Sequence, residues 1–285
     1  MRIISWNVAG LRARLKNDDS GNNHLMNAIF NEINSEDEEY KYYDIVCLQE
    51  TKCEETEIKL PNEIEMRYPY RYWNSTKGTS QRKGLSGVCI WCTSPPIDKI
   101  ETPDFDEEGR IIGVEFEDYI LINVYVPNSQ SLKCERYYFR ERWNVNFLCY
   151  IQELESRYNK EIIICGDFNV AHLDIDICDP KKKKNKVAGF FDNERLDFGY
   201  LLDYANLIDI FRKLNPGKQK STYWSNFLKQ KRTKYNGWGI DYYLITEKLI
   251  NNVKDCKILK TIMGSDHCPI ELELYFKKWI IFILY

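Results

Sequence analysis

Carboxylate, amide and imidazole side chains gather in this 285-residue sequence where apolar runs end or begin. They are Asn7, Glu50, Asn128, Asp167, Asn169, Asp266 and His267. Asn and Asp are turn formers, which explains any one of these positions, but Glu50 is not a turn residue. If the ends of the runs converge, the side chains form a pocket of oxygen ligands, which suits Mg²⁺ or Mn²⁺ better than zinc. The pattern therefore predicts a metal-assisted hydrolase.

Phosphodiester hydrolysis needs the groups that such a pocket would hold. A cation offsets the negative charge that grows on the phosphoryl oxygens and on the leaving oxygen. A carboxylate orients or deprotonates a water for in-line attack, and a histidine held by a carboxylate can contact the phosphate. The residue types at these positions are the ones that this reaction needs.

Apolar runs with strand-like patterning must position these side chains, and helices lie between some of them. The predicted strands cover residues 3–8, 44–49, 87–93, 111–116, 119–126, 161–165, 240–246 and 269–276. Alternating apolar and acidic residues at 270–276 predict a half-buried strand, and an apolar stripe predicts a helix over 136–157. A weaker helix is predicted over 193–206, and residues 17–23 and 179–187 are predicted to be loops. Since there is no repeat and no Gly/Ser linker, the whole chain, residues 1–285, is predicted to be one α/β domain.

Charge is distributed unevenly along the chain. The 40 basic and 43 acidic residues give a net charge of −3, which argues weakly against a nucleic-acid partner. Residues 17–67 contain 4 basic and 14 acidic residues, whereas residues 181–234 contain 14 basic and 5 acidic ones. Such asymmetry is typical of a protein with one face for a polyanion and one face kept away from it, although two solvated faces without a partner give the same pattern.

The ten cysteines indicate a reducing compartment, because Cys47, Cys89, Cys92 and Cys165 lie inside apolar runs. Cys89 and Cys92 have zinc-like spacing, but residues three apart on a strand point to opposite faces. The apolar tail at 279–285 is shorter than a membrane span, which needs about 20 residues. No secretory signal is predicted, because the first residues already resemble a strand. We therefore expect an intracellular protein with no membrane partner, in either the nucleus or the cytoplasm.

Six motifs occur in order along the chain. They are SWNVAGLR at 5–12, LQETK at 48–52, YVPN at 125–128, GDFNVAH at 166–172, GWGIDY at 237–242 and GSDHCP at 264–269. Together they resemble the exonuclease III family of apurinic/apyrimidinic (AP) endonucleases, within the endonuclease/exonuclease/phosphatase superfamily. GDFN alone is a superfamily motif, whereas 48–52, 125–128 and 237–242 point to the DNA-repair branch. The resemblance implies a four-layered α/β sandwich, in which two packed mixed β-sheets are flanked by helices.

The resemblance also implies roles for individual residues. The candidate metal ligands are Asn7, Glu50, Asp167, Asn169, Asp266 and His267. The candidate catalytic residues are Tyr125, Asp167, Asn169, Asp241 and His267. Glu50 would be the principal ligand of Mg²⁺, for which Mn²⁺ is a substitute, and Asp167 would position or deprotonate the attacking water. His267 would contact the scissile phosphate while Asp241 holds it, and Tyr125 would also reach the phosphate.

Four residues are implied to bind the substrate, which would be double-stranded DNA containing an abasic site. They are Asn128 at the phosphate, and Tyr223, Trp238 and Ile240 around the extruded sugar. A small apolar pocket can admit a sugar without a base and exclude normal nucleotides. Without the resemblance, Tyr223 and Trp238 would be interpreted as aromatic residues of the core, which is the commoner location of such side chains. The basic residues 229–232 and Lys234 would grip the DNA backbone.

The implied activity is Mg²⁺-dependent hydrolysis of the phosphodiester 5′ to the abasic site, by a monomer, with 3′–5′ exonuclease and 3′-phosphodiesterase as further activities. Ala9 departs from the family, whose members carry Asp or Asn near the metal, so a second metal site would lack that ligand. The acidic segment 31–43 would face away from DNA, and His172 would be structural or would contact DNA.

Two alternatives belong to other classes of function. Another phosphoesterase of the superfamily, such as a phosphoinositide phosphatase or an RNA deadenylase, is the nearest one. The aromatic pocket and the context of residues 49–52 argue against it. A catalytically inactive DNA-binding module is the other alternative, and the reactive residues at every expected catalytic position except residue 9 argue against it.

Overall fold

Two six-stranded β-sheets form the frame of the chain. The structure is a computed structural model that describes residues 1–19, 21, 23–30, 42–76, 84–225, 232 and 236–276. The strands are β1 (Arg2–Asn7), β2 (Ile45–Gln49), β3 (Tyr70–Asn74), β4 (Val88–Cys92), β5 (Asp98–Ile100), β6 (Ile111–Glu115), β7 (Tyr119–Tyr125), β8 (Glu161–Asp167), β9 (Leu207–Asp209), β10 (Asp241–Thr246), β11 (Val253–Ile258) and β12 (Ile270–Leu274). The first sheet has the order β11-β12-β1-β2-β4-β3, and the second has the order β5-β6-β7-β8-β10-β9.

Helices flank the two sheets, and one of them contributes Ile210 to the apolar cluster between the sheets. They are α1 (Leu11–Arg14), α2 (His24–Phe30), α3 (Asn62–Arg67), α4 (Glu135–Tyr158), α5 (Pro180–Lys183), α6 (Asp192–Tyr204) and α7 (Ile210–Leu214), with 3₁₀ helices at Glu55–Glu57, Asp174–Asp176 and Glu247–Asn252. Leu25 and Ile64 from α2 and α3 pack with Val46 of the first sheet. Phe147 of α4 packs with Ile164 of the second sheet. The predicted four-layered sandwich is therefore confirmed.

The interior between the two sheets is apolar, and β8 shows why the sequence builds it. Side chains alternate along a strand, so that Ile162 and Ile164 face the outer helices while Ile163 and Cys165 face the other sheet. A strand buried on both faces needs a continuous apolar run rather than an alternating one. Each such fully buried aliphatic side chain contributes roughly 1.5–3 kcal/mol of transfer free energy.

The eight strands predicted from the sequence are all present, and α4 and α6 match the two predicted helices. Four further strands were not predicted: β3, β5, β9 and β11. They are the edge strands of the two sheets. Cys89 and Cys92 face opposite sides of β4, in different buried clusters. None of the helices in the described residues is both long and apolar enough to cross a membrane.

Two structural predictions are wrong. The strand over 270–276 was predicted to be half-buried, but Glu271 is only 3% exposed. Arg2 Nη2 donates to Glu271 Oε2 at 3.0 Å and the Tyr43 hydroxyl donates to it at 2.9 Å, so the acidic face is covered by its own partners. The predicted loop at 179–187 contains α5, because Pro180 at the first helical position fixes φ near its helical value.

Several predicted features lie outside the described residues. They are residues 31–41 of the acidic segment, the basic residues 229–231, Lys234 and the apolar tail at 279–285. The prediction of a single domain over 1–285 stays a prediction.

The strand ends that carry polar side chains meet at one edge of the sandwich. β1 and β2 are parallel, and so are β7 and β8, which brings the carboxyl end of each pair to the same edge. β10 is antiparallel to β8, and its first residue Asp241 pairs with Asp167, the last residue of β8. β12 is antiparallel to β1, so the loop that precedes β12 reaches the same edge. This loop contains Asp266 and His267.

Candidate active site

A cavity of about 380 Å³ opens at the edge where these strand ends meet. Ten of the predicted site residues line it: Glu50, Tyr125, Asn128, Asp167, Asn169, Tyr223, Trp238, Ile240, Asp266 and His267. Asn7 and Asp241 lie directly behind the cavity, where each one forms a hydrogen bond with a lining residue. The structure thus brings all the predicted site residues to one place.

Asn7 is fully buried at the end of β1 and joins carboxylates from the two sheets. Its Nδ2 donates to Glu50 Oε1 at 3.0 Å and to Asp167 Oδ2 at 2.9 Å. Its Oδ1 accepts a hydrogen bond from the backbone N of Ala9 at 3.0 Å. Ala9 has a φ of 48°, in the left-handed region that Asn and Asp adopt more easily than Ala. Asn7 therefore fixes the separation between the two carboxylates.

Glu50 follows β2 with a φ of 51° and presents its carboxylate to the cavity. Lys52 Nζ lies 2.8 Å from its Oε2. The Tyr125 hydroxyl also hydrogen bonds to this carboxylate, and burial raises the pKa of Tyr125 well above its usual value, so the phenol stays neutral and donates. Burial alone would raise the pKa of Glu50, but Lys52 and the hydrogen bond from Asn7 hold it below its usual value. Glu50 is therefore a carboxylate at neutral pH.

His267 lies between two buried carboxylates. Its Nδ1 is 2.9 Å from Asp241 Oδ2, and its Nε2 is 3.7 Å from Asp167 Oδ2. Burial opposes the charged imidazole, but Asp241 and Asp167 outweigh it and raise the pKa of His267 to about 10. Burial raises the pKa of Asp167 to about 7, with Asp241 adding to the effect and His267 opposing it. The imidazolium and a carboxyl that can exchange a proton near neutral pH are therefore neighbours.

Amides from two loops order one side of the cavity. Asn128 Nδ2 donates to Asn169 Oδ1 at 3.0 Å, and Asn169 Nδ2 donates to the backbone O of Val126 at 2.9 Å. The backbone N of Asn169 donates to Asp167 Oδ1 at 2.8 Å, which holds that carboxylate in place. The Tyr125 ring lies under the guanidinium of Arg110, 4.5 Å from its centroid.

Apolar and aromatic side chains make the opposite wall. Tyr223 and Trp238 are joined by backbone hydrogen bonds of 2.9 Å in each direction. Their rings meet edge to face with centroids 6.4 Å apart. The Tyr223 ring also packs on His267 at 4.8 Å, so this wall touches the polar centre. Ile240 is 5% exposed and completes a small cluster with Phe190.

The donor set around Glu50 fits a hard divalent cation. Glu50 and Asp266 are both on the cavity wall, and carboxylates with amide oxygens nearby are the ligands that such cations prefer. Asp167, Asp241 and His267 also bring one possible ligand atom each within 4.8 Å of one another. In that trio the His267 Nδ1 and an Asp241 oxygen are already engaged with each other at 2.9 Å. Glu50 and Asp266 could thus hold a metal ion, whereas Asp167, His267 and Asp241 are better described as an ion-paired cluster.

Residues that the sequence did not single out complete the cavity: Cys178, Lys183, Ala188, Gly189, Ser225 and Asn236. Lys183 is the only lysine or arginine among the described lining residues. Its Nζ lies 2.6 Å from Cys178 Sγ and 5.1 Å from the Trp238 ring centroid. The neighbouring Lys184 pairs with Asp192 at 3.3 Å instead. Four consecutive lysines are usually solvated, so the sequence held no signal that distinguishes Lys183 from the others.

The structure also shows the surroundings of two residues for which the family resemblance implied a role, His172 and Arg232. His172 packs on Phe198 with ring centroids 5.0 Å apart, and burial lowers its pKa, as for a structural histidine. Arg232 was predicted to contact DNA as part of the basic run. In the structure its Nη2 donates to the backbone O of His267 at 2.8 Å, because carbonyls of the loop before β12 face its guanidinium.

Known proteins resemble the chain over nearly its whole length. The model of the endonuclease/exonuclease/phosphatase family matches residues 4–267. DNA repair nuclease APEX1 of Danio rerio is 39% identical over 280 residues, which are 96% of this chain and 82% of that protein. The exodeoxyribonuclease of Bacillus subtilis is 37% identical over 276 residues, which are 95% of this chain and 98% of that protein.

The fold comparison agrees with these relatives. The structure of an AP endonuclease from Archaeoglobus fulgidus superposes with a TM-score of 0.79 at 24% identity, covering 97% of this chain and all of that one. The predicted resemblance to AP endonucleases is confirmed, and the phosphoinositide phosphatase, deadenylase and inactive-module alternatives are not favoured. This chain belongs to the endonuclease/exonuclease/phosphatase family of hydrolases.

Proposed function

We propose that the chain is an AP endonuclease of base excision DNA repair, which hydrolyses the phosphodiester 5′ to an abasic site in double-stranded DNA. The products are a 3′-hydroxyl and a 5′ deoxyribose phosphate. The same site would remove nucleotides and blocking groups from 3′ ends. The proposal rests on one observation: the ion-paired cluster of Asp167, His267 and Asp241 contacts an aromatic wall in the same cavity, through the packing of Tyr223 on His267.

The proposed cofactor is Mg²⁺, with Mn²⁺ as a substitute, held by Glu50 and Asp266. A bound cation there would offset the charge that grows on the phosphoryl and leaving oxygens. Asn7 sets the position of Glu50 through its 3.0 Å hydrogen bond. Lys52, 2.8 Å from the same carboxylate, would compete with the cation for Glu50, because both are positively charged.

Asp167 is the proposed base for the attacking water. It is 1% exposed, and its carboxylate is oriented by Asn7 and by the backbone N of Asn169. A general base works best when its pKa lies near the operating pH, and burial brings the pKa of Asp167 to about 7. Asp167 takes a proton from the water as the oxygen attacks phosphorus in line with the leaving 3′ oxygen.

His267 is the proposed phosphate contact. Asp241 accepts its Nδ1 proton at 2.9 Å, which leaves the Nε2 proton to point toward the cavity. A charged imidazole there stabilises the extra negative charge of the transition state. The Tyr125 hydroxyl would turn from Glu50 to donate to a phosphoryl oxygen, and Asn128 would donate its second Nδ2 hydrogen to another.

Tyr223, Trp238 and Ile240 form the proposed pocket for the extruded abasic sugar. Their side chains line the cavity beside the catalytic groups, so the extruded residue would pack directly against them. An apolar wall favours a sugar that carries no base and penalises a normal nucleotide by steric overlap. Lys183 is proposed to contact a neighbouring DNA phosphate, because its Nζ is held at the rim by Trp238 and Cys178.

A gel assay of matched duplexes tests the proposal. One duplex is intact, one carries a tetrahydrofuran abasic analogue, and one has a recessed 3′ end. We expect Mg²⁺-dependent incision 5′ to the analogue, with a 3′-hydroxyl product and no cleavage of the intact duplex. The analogue cannot undergo β-elimination, so cleavage of natural abasic sites without cleavage of the analogue would show a lyase and reject hydrolysis. Full activity in EDTA would reject the metal.

A further inference from the structure

The loop at 259–269, between β11 and β12, carries both Asp266 and His267. A loop with few regular hydrogen bonds does not hold two side chains precisely unless other groups bind its backbone. Four hydrogen bonds to its carbonyls come from one side chain. That side chain is Arg232, which is distant from the loop in sequence.

The guanidinium of Arg232 spans the loop from one end to the other. Its Nη1 donates to the backbone O of Ile262 at 2.6 Å and to that of Lys260 at 3.3 Å. Its Nη2 donates to the backbone O of His267 at 2.8 Å and to that of Ser265. These carbonyls flank Asp266 on both sides, so the guanidinium fixes the backbone on either side of that residue.

Two tryptophans also hold this arrangement: Trp224 packs on the guanidinium, and both Trp224 and Trp6 donate hydrogen bonds to the loop backbone. The Arg232 guanidinium lies over the Trp224 ring, 5.0 Å from its centroid. The backbone N of Trp224 donates to the backbone O of Asp266 at 2.8 Å. Trp6 Nε1 donates to the backbone O of His267 at 3.1 Å, the same oxygen that Arg232 contacts. The carbonyl of His267 is therefore held by two side chains from different parts of the chain.

We propose that Arg232 is a positioning residue that sets the placement of Asp266 and His267, rather than a contact to the DNA backbone. The inference rests on the proposed phosphodiester hydrolysis at this cavity. A guanidinium whose Nη atoms are committed to four loop carbonyls has little left for a phosphate. Arginine suits the task because its planar fork presents fixed donors, whereas the lysine ammonium is a compact point charge.

The test compares Arg232→Lys with Lys183→Met on the tetrahydrofuran duplex, measuring kcat and KM at several KCl concentrations. Arg232→Lys keeps the charge and loses the fork, so we expect kcat to fall about 10- to 100-fold with the salt dependence of KM unchanged. Lys183→Met removes a proposed phosphate contact and serves as the comparison. For it we expect a higher KM and a salt slope that falls by about 1, with kcat nearly retained.

A second variant keeps the inference testable if Arg232→Lys does not fold. Trp6→Phe removes the other donor to the His267 carbonyl without any change of charge, and we expect a smaller loss of kcat at unchanged KM. Melting temperatures of all variants show which are folded at the assay temperature. A higher KM with kcat retained in Arg232→Lys would overturn the inference. Unchanged kcat in folded Arg232→Lys would also overturn it, as would unchanged kcat in Trp6→Phe if Arg232→Lys does not fold.

The wild-type protein separates this inference from the proposed function. If wild type does not incise the tetrahydrofuran duplex, the proposed function fails before any variant is compared. If wild type incises it and the Arg232 variant behaves like Lys183→Met, the proposed function stands and the positioning role of Arg232 is rejected.

Discussion

Glu50 and Asp167 accept hydrogen bonds from the same amide of Asn7, yet their surroundings differ. Glu50 faces Lys52 and lies at the cavity wall, and its pKa is held below its usual value. Asp167 is buried beside Asp241, and its pKa is raised to about 7. Environments that separate the pKa values of two carboxylates assign them different tasks. The first is suited to bind a cation and the second to accept a proton.

This difference predicts distinct kinetic defects for two isosteric substitutions. Glu50→Gln removes the charge that binds a hard cation, so the Mg²⁺ concentration that gives half-maximal incision should rise steeply, with kcat partly recovered at high Mg²⁺. Asp167→Asn should lower kcat by about a hundredfold or more at saturating Mg²⁺, because the base is lost. Initial rates on the tetrahydrofuran duplex across a Mg²⁺ titration measure both effects. Wild-type behaviour of Glu50→Gln at low Mg²⁺ would contradict the assignment.

The protonation of His267 gives a prediction that needs no activity. Its pKa in the folded protein is raised to about 10 from an ordinary 6.5. The stability that its ion pairs contribute is therefore fully present below about pH 6.5 and is lost as the pH rises through about 10. Asp241→Asn removes one of the raising charges, so the pKa of His267 should move down toward its ordinary value.

Histidine ring NMR in EDTA measures that titration, and the chain has only three histidines to assign. His267→Gln identifies the resonance by its disappearance. At pH 8 the His267 ring should still be charged, whereas burial lowers the pKa of His172 and keeps its ring neutral. A wild-type His267 resonance that titrates near 6.5 would show that the ion pair with Asp241 does not form in solution.

Eleven of the twelve residues that the structure brings to the cavity were predictable because each belongs to a short motif at or near a strand end, whereas Tyr223 followed only from the family resemblance. Residues whose role depends on distant backbone atoms were not predictable. Arg232 looked like one more cation in a basic run, because its acceptors are carbonyls, and every residue has a carbonyl. Lys183 is the last residue of α5 and lines the cavity, whereas Lys184, the next residue, pairs with Asp192. Local composition does not contain that information.

At the scale of elements, the sequence predicted the interior strands and missed the edge strands. β8 is buried on both faces and is a continuous apolar run, IIIC, that only a strand of this length explains. β3 and β5 pair on one side only, and charged residues interrupt the apolar pattern of each: Arg71 in β3, and the exposed Asp98 and Lys99 in β5. Edge strands are stabilised by neighbours that are remote in sequence, which periodicity does not report.

Backbone geometry is a second element-scale feature that composition does not show. Gly166 lies in β8 with a φ of 139°, and a Cβ atom there would be 1.9 Å from the backbone O of Val124. Only glycine allows β7 and β8 to approach this closely just before Asp167. The GDFN motif is therefore partly a packing requirement, although the sequence alone presents it as a catalytic signature.

The segment from Asn236 to Ile240 contributes to the cavity wall. Shortening the Trp238 side chain in this segment should change substrate selection. Trp238→Ala enlarges the pocket while leaving Glu50 and His267 in place. Cleavage at abasic sites should fall about tenfold or more, and discrimination against intact or damaged nucleotides should relax because the steric filter is lost. The ratio of kcat/KM for the tetrahydrofuran duplex to that for the intact duplex is the measurement.

A purely structural role for Trp238 has a different outcome. Loss of core packing alone lowers the melting temperature and leaves that ratio unchanged among folded molecules. Tyr223→Phe is the matched control, since it keeps the ring that packs on His267 and removes only the hydroxyl. We expect its ratio to match that of the wild-type protein, and an unchanged ratio in Trp238→Ala would remove Trp238 from the pocket.

At the scale of the whole molecule, a buried polar link joins the two sheets below the cavity. Gln49 Nε2 donates to Asn123 Oδ1 at 2.7 Å, from the first sheet to the second. Asn123 Nδ2 donates to the backbone O of Leu48 at 3.0 Å and to that of Cys89 at 2.8 Å. Gln49 immediately precedes Glu50, and Asn123 stands two residues before Tyr125. The link therefore ties the sheet that carries the proposed metal ligand to the sheet that carries a proposed phosphate contact.

Asn123→Leu tests whether the sandwich unfolds as one unit. The leucine has nearly the same volume, but it removes the acceptor of one Gln49 amide hydrogen and the donor to two backbone carbonyls. Each buried unsatisfied group costs about 1–3 kcal/mol. We expect the free energy of unfolding to fall by about 3 kcal/mol or more, against about 0.5 kcal/mol or less for Asn146→Leu on the exposed face of α4. Hydrogen exchange of peptides from β2 and β7 at increasing urea measures each sheet separately. In both wild type and variant the two peptides should lose protection at the same urea concentration, because the sheets share one apolar interior. Earlier loss of protection in one sheet would contradict a single cooperative domain.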